Sequence, residues 1–105
     1  MAAFDIAQID DVIHGRMRLG IMAYLADAEV ADFNELKAAL EATQGNLSVH
    51  LRKLEEARYI TIEKSFLGRK PNTRARITAA GRQAFADYLD ALRRLLDSSP
   101  AARAR

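Results

Sequence analysis

At Tyr59 the apolar residues of this chain change their spacing, and that change limits the possible folds more than any other feature. Before it, Leu47, Leu51 and Leu54 recur at intervals of four and three, the repeat of one helix face. After it, Ile60 and Ile62 alternate with Thr61 and Glu63, the repeat of a half-buried strand. Residues 65–74 then bring Gly68, Pro71 and Asn72 together with Arg69, Lys70 and Arg74, a composition suited to a hairpin loop. A return strand over 74–78 would turn Ala75 and Ile77 inward and leave Arg74 and Arg76 on the other face. The chain must therefore join a helical half to one short hairpin with a basic loop.

The helical half divides at its breakers and caps. Phe4, Ile6, Ile9, Val12 and Ile13 form an apolar stripe that predicts a short helix over 4–13. Beyond Gly15, a second helix over 16–26 points Leu19, Met22, Ala23 and Leu25 inward and leaves Arg16 and Arg18 in water. Asp32 with Glu35 three residues on forms a capping box, opening a helix whose inner residues are Phe33, Leu36, Ala39 and Leu40. Thr43 or Asn46 caps the next, a helix of about 44–57. Two short helices with a tight connection make a helix-turn-helix. After the hairpin, Thr78 caps a last helix over 79–97, and residues 98–105, opening with Ser98, Ser99 and Pro100, read as a flexible tail. The expected fold is one domain over 1–97, mainly α with a small β-hairpin: a winged helix-turn-helix.

Size and composition narrow the function. A chain of 105 residues can bury one core but not a core and a large cofactor cavity as well. There is no cysteine, which excludes disulfides, thiol catalysis and thiolate metal sites. No apolar run nears the ~20 residues that span a bilayer, and the first residues are acidic where a secretory signal is basic, so no membrane partner and a cytoplasmic location are expected. Adjacent carboxylates such as Asp10-Asp11 and Glu55-Glu56 do not share a helix face, and Asp87 with Asp90 has no base or nucleophile beside it. The reading is therefore not an enzyme, with no cofactor and no metal. Charge is divided unevenly: residues 1–42 carry a net −5 and residues 43–82 a net +6. A positive middle of this kind suits a face presented to a polyanion.

The run Thr43-Gln44-Gly45-Asn46-Leu47-Ser48-Val49-His50-Leu51-Arg52-Lys53-Leu54-Glu55-Glu56 closely resembles the recognition helix of winged helix transcriptional regulators related to the ArsR and MarR groups. Gly68-Arg69-Lys70-Pro71-Asn72-Thr73, then Ile77-Thr78-Ala79-Ala80-Gly81-Arg82, and earlier Arg18-Leu19-Gly20-Ile21-Met22, resemble the small stand-alone members of bacteria and archaea. The likeness covers about residues 8–96. It implies a homodimeric cytoplasmic repressor or regulator, with the recognition helix in the major groove of duplex DNA. The wing, over 64–76, would reach the adjacent backbone or minor groove, and terminal helices would form the dimer. Two departures stand out. Arg58 sits where the family usually has glycine, so a left-handed backbone there would cost about 1 kcal/mol or more. With no cysteine and only His14 and His50, metal sensing is not implied.

Groove contacts are expected from Gln44, Asn46, Ser48, Val49, His50, Arg52 and Lys53. Amides pair with adenine, guanidinium groups with guanine, and valine packs on a thymine methyl. On the wing, Arg69 and Lys70 lie at a tip stiffened by Pro71, with Arg74 and Arg76 tracking phosphates nearby. Phe66 and Leu67 are expected to tuck the hairpin base onto the domain. The last helix is apolar on two seams. With Leu89 inward, the expected dimer contacts are Tyr88, Leu92 and Leu95 with Phe4 and Ile9. Nothing polar converges there, so a small-molecule effector is left open. The competing use of such a fold, a protein–protein module without DNA binding, calls for a more apolar recognition face and no cationic wing.

Overall fold

The computed structural model describes residues 5–103. Its elements run α1 (Arg16–Ala28), β1 (Val30–Asp32), α2 (Phe33–Ala39), α3 (Gln44–Glu56), β2 (Ile60–Leu67), β3 (Lys70–Ile77), α4 (Ala79–Asp97) and α5 (Pro100–Arg103). This is a mainly helical chain with a three-stranded antiparallel sheet of order β1-β3-β2, a winged helix-turn-helix.

Local chemistry starts each element where the sequence marks it. The Asp32–Glu35 capping box opens α2, with Glu35 accepting from the Asp32 amide at 3.4 Å. The Thr43 hydroxyl accepts from the Asn46 amide at 3.2 Å and caps α3. The Thr78 hydroxyl accepts from the Gly81 amide at 2.9 Å and caps α4. Such a cap contributes about 1 kcal/mol. Leu47, Leu51 and Leu54 of α3 meet Ile21, Met22 and Leu25 of α1, Leu36 of α2, and Ile60, Ala75 and Ile77 of the sheet in one buried core. Each fully buried leucine contributes about 1.5–3 kcal/mol relative to exposure. Ala23, expected inward, stays exposed.

The first segment departs from expectation. In place of a helix over 4–13 there is a single 3-10 turn, Ile6–Gln8, followed by irregular chain. Aspartates explain it: Asp5 accepts from the Ala7 amide at 3.0 Å, and Asp10 accepts from the Val12 amide at 2.8 Å. Side chains that bind backbone N–H groups two residues on compete with helix formation. Phe4, expected in this helix and in a dimer contact, lies outside the described residues. Ile13 is nevertheless fully buried, so the segment joins the core without helical form.

The hairpin is longer than expected. Strands β2 and β3 pair from Ile60 with Ile77 to Leu67 with Lys70, and only Gly68 and Arg69 turn the chain. Gly68 has φ 66°, which glycine adopts without a Cβ clash. Strand β1, unforeseen, pairs Val30 with Arg76 and Asp32 with Arg74. Arg58 does take the left-handed backbone at φ 67°, just before the hairpin. Gly81 is required for another reason: a Cβ there would lie 2.1 Å from the Tyr59 carbonyl oxygen. The bare α-carbon lets the first turn of α4 press against the hairpin base.

Residues 98–105 do not begin as the expected tail. Ser98 is buried, its hydroxyl donates to the Arg94 and Leu95 carbonyls, and Pro100–Arg103 adds a helical turn. The two seams of α4 also exchange roles. Tyr88 is 1% exposed and Ala91 5%, so this is the seam that faces the core. The Tyr88 hydroxyl pairs with His14 Nδ1 at 2.8 Å, and that bond lets a phenol be buried. Tyr88 is therefore core and unavailable to a partner. Leu89 and Leu96, with Phe85 and Leu92 half-buried between them, form the outward seam, while Leu95 and Ile9 are half-buried.

Candidate nucleic-acid interface

The leucine register of α3 decides what the helix shows to solvent. With Leu47, Leu51 and Leu54 at 5% exposure or less, Gly45, Val49, Arg52 and Glu56 fall on the opposite face. Gln44 and Ser48 lie on the flank toward the wing, and Asn46, His50 and Lys53 on the other. Because Thr43 supplies the cap, the Asn46 side chain is released from that task. Gln44, Asn46, Ser48, Arg52 and Lys53 make no side-chain hydrogen bond or ion pair among the described residues. Val49 is 49% exposed at the centre of the face.

His50 has a different position. Its Nδ1 accepts from an Arg18 guanidinium nitrogen at 2.9 Å, which leaves the ring proton on Nε2. Burial, and then the cations of Arg18 and Lys53, hold its pKa below the ordinary 6.5. The same guanidinium donates to the carbonyls of Val12, Asp11 and His14. Arg18, expected to be wet, instead ties the N-terminal segment and α1 to α3. Its partner His50 lies 32 residues further along the chain, and no local pattern announces it. A second tie fixes the hairpin base: the Tyr59 hydroxyl donates to Asp10 at 2.6 Å, a bond that, with burial, pushes its pKa up to about 12.

On the wing, cations divide by position. Arg76 bonds Glu63 at 2.8 Å and Glu29 at 3.0 Å, and Arg74 approaches Asp32 at 3.7 Å. The Arg76 guanidinium beside Glu63 holds that carboxyl below the usual range. These two arginines face acids on β1, β2 and the end of α1 and spend their charge within the fold. Lys64, Arg69 and Lys70 further out have no such partner among the described residues. Phe66 and Leu67 do not tuck under the domain; they are 69% and 65% exposed.

The two surfaces meet. An open cleft of about 490 Å³ lies between α3 and the wing, lined by Gln44, Ser48 and Arg52 on one side and Lys64, Pro71 and Asn72 on the other. Asn34 and Glu55 also border it; neither Asn34 nor Lys64 is among the residues singled out from sequence, though Lys64 could have been found as the next cation outward on the strand face of Ile60 and Ile62. Among the described residues no group of three His, Asp or Glu could hold a metal, and no helix is long and apolar enough to cross a membrane.

Known proteins share this fold. The chain is 38% identical over 78 residues to an uncharacterized protein of Methanocaldococcus jannaschii, covering 74% of this chain and 85% of that one. In structure it is similar to a transcriptional regulator homologue protein from Pyrococcus horikoshii OT3, with TM-score 0.77 and 31% identity over 82% of this chain and 85% of that chain. The fold also matches that of NadR, solved in complex with 4-hydroxyphenylacetate, with TM-score 0.68 at 18% identity over 87% of this chain and 64% of that one. The family of winged helix DNA-binding domains matches residues 17–96, and the chain belongs to that family, which is a regulator family and not an enzyme family.

Proposed function

We propose that the chain is a sequence-specific regulator of transcription that binds duplex DNA as a homodimer in the cytoplasm and represses by occupying its site. In this reading α3 enters the major groove with Asn46, Ser48, Val49 and Arg52 toward the bases. The wing lies on the adjacent backbone or minor groove, held by Arg69 and Lys70. One observation carries it. Gln44, Ser48 and Arg52 of α3 and Lys64 of the wing, with no partner among the described residues, border one cleft, with Glu55 the acid on its edge, whereas the arginines at the wing base face acids within the fold. A protein–protein module would have no use for that division. Self-association is assigned to the seam of Phe85, Leu89, Leu92 and Leu96, with Leu89 39% and Leu96 57% exposed.

Selection of bound duplexes from a random library, at defined salt, tests the proposal. The expected product is an inverted repeat with half-sites about 34 Å apart, one turn of B-DNA. A library that returns no enriched sequence would leave only the coarser reading of a DNA-binding domain. For assembly, Leu96→Glu should yield a folded monomer by sedimentation, because the side chain is already exposed in a single chain. A variant that still dimerises places the interface elsewhere.

A further inference from the structure

A hairpin that only grips phosphates needs cations at its tip and nothing apolar. Here Phe66 and Leu67 are among the largest exposed apolar side chains of the described residues. The register shows where Phe66 points. It pairs with Pro71, on the strand face that carries Ile60 and Ile62 into the core and Lys64 into the cleft opposite Ser48 and Arg52. Phe66 therefore stands on the side of the wing that looks toward α3, opposite Pro71, while Leu67 opposes Lys70 on the far face. Lys64, Arg69 and Lys70 surround the pair, and no carboxylate occurs from residue 64 to residue 73. An apolar protein surface packed on this tip would strand three cations without counter-charges. A groove walled by phosphates would satisfy all three, and a base step opened at its floor would offer the ring the apolar faces of the bases.

We propose that Phe66 is a wedge that enters the minor groove beside the site read by α3, partly opens one base step and bends the duplex. The inference rests on the DNA-binding reading above and adds to it a deformation and a source of sequence preference. Opening a step is cheapest at flexible pyrimidine–purine sequences, so the wing would favour TA or CA there without any hydrogen bond to a base.

The test uses the full chain and a duplex carrying the selected site, with a dye at each end and 2-aminopurine at the step facing the wing. Wild type should shorten the end-to-end distance and raise the 2-aminopurine fluorescence. Phe66→Ala, at an exposed position, should keep the melting temperature and the salt dependence of binding. It should bind about tenfold more weakly, with no bend and no rise in fluorescence. A wild type that binds the duplex straight and stacked, or a Phe66→Ala that bends and unstacks it equally, overturns the wedge while the DNA-binding reading stands. A wild type that binds no duplex overturns both. Loss of self-association on Phe66→Ala, with bending unchanged, would assign the patch to a second copy of the chain and also overturn the wedge.

Discussion

Helix α3 is seated by Leu47, Leu51 and Leu54, so its outward side chains share the rigidity of the core. The wing leaves that core at Ile62, and every residue from Lys64 to Pro71 is exposed. Both surfaces bring a cation to one cleft, Arg52 and Lys64, but only the helix backbone is seated on the core along its length. Reading bases needs donors and acceptors held to within a fraction of an ångström, whereas attraction to phosphates tolerates movement. On the proposed reading, the difference in anchoring gives hydrogen-bonded base reading to the helix and sequence-independent grip to the cations of the wing. Within the wing the same logic separates base from tip: Arg74 and Arg76 are held by acids, and Arg69 and Lys70 are held by nothing among the described residues.

Substitutions can break this comparison at several levels. Leu47→Ala should lose about 2–5 kcal/mol of stability, while Leu67→Ala should stay within about 0.5 kcal/mol of wild type in denaturant melts. Equal losses would mean the wing is packed in solution. Asn46→Ala or Arg52→Ala should cost about 1–3 kcal/mol of discrimination at one or two bases, read by competition between cognate and altered duplexes. The Arg69→Ala, Lys70→Ala double variant should weaken all duplexes alike and reduce the log–log salt slope by about 2. Arg74→Ala with Arg76→Ala should leave that slope almost unchanged.

Two smaller effects sharpen the account of how the helix is held. Arg58→Gly relieves the left-handed backbone between α3 and the wing and should raise stability by about 1 kcal/mol in thermal melts. His50 bears on the anchor to Arg18. Its native pKa lies below 6.5, so the unfolded chain takes up the proton more readily. The stabilisation is present above about pH 6.5 and declines as pH falls from there toward the lowered native value. His50→Gln should flatten that decline in denaturant melts. An unchanged profile would assign the acid sensitivity to other groups.

What could be read in the sequence was local. The caps at Asp32, Thr43 and Thr78 each need only a hydroxyl or carboxylate and an amide three residues away, and the face of α3 follows from three leucines. What could not be read depended on partners distant in the chain. Strand β1 is three residues long, too short for alternation to show, and without it the approach of Asp32 to Arg74 and of Glu29 to Arg76 stays hidden. The apolar stripe over 4–13 suggested a helix, but Asp5 and Asp10 take backbone amides that a helix would use. On α4 either seam could face inward, and His14, 74 residues earlier, settles it by receiving Tyr88. Which residues of α3 turn outward follows from the leucine register, whereas the tie of His50 to Arg18 does not.

The central claim of the proposed reading is that α3 reads bases by hydrogen bonding and the cations of the wing supply the grip. It is tested most directly by measuring affinity against salt for a selected duplex and a scrambled one, using wild type and the Arg69→Ala, Lys70→Ala variant. The account predicts steep, nearly parallel lines for the two duplexes, offset by the specificity of α3. The variant should give shallower lines with the same offset. A variant that keeps the slope and loses the offset would contradict the assignment of the two surfaces, and binding by wild type that ignores salt would contradict the polyanion interface itself.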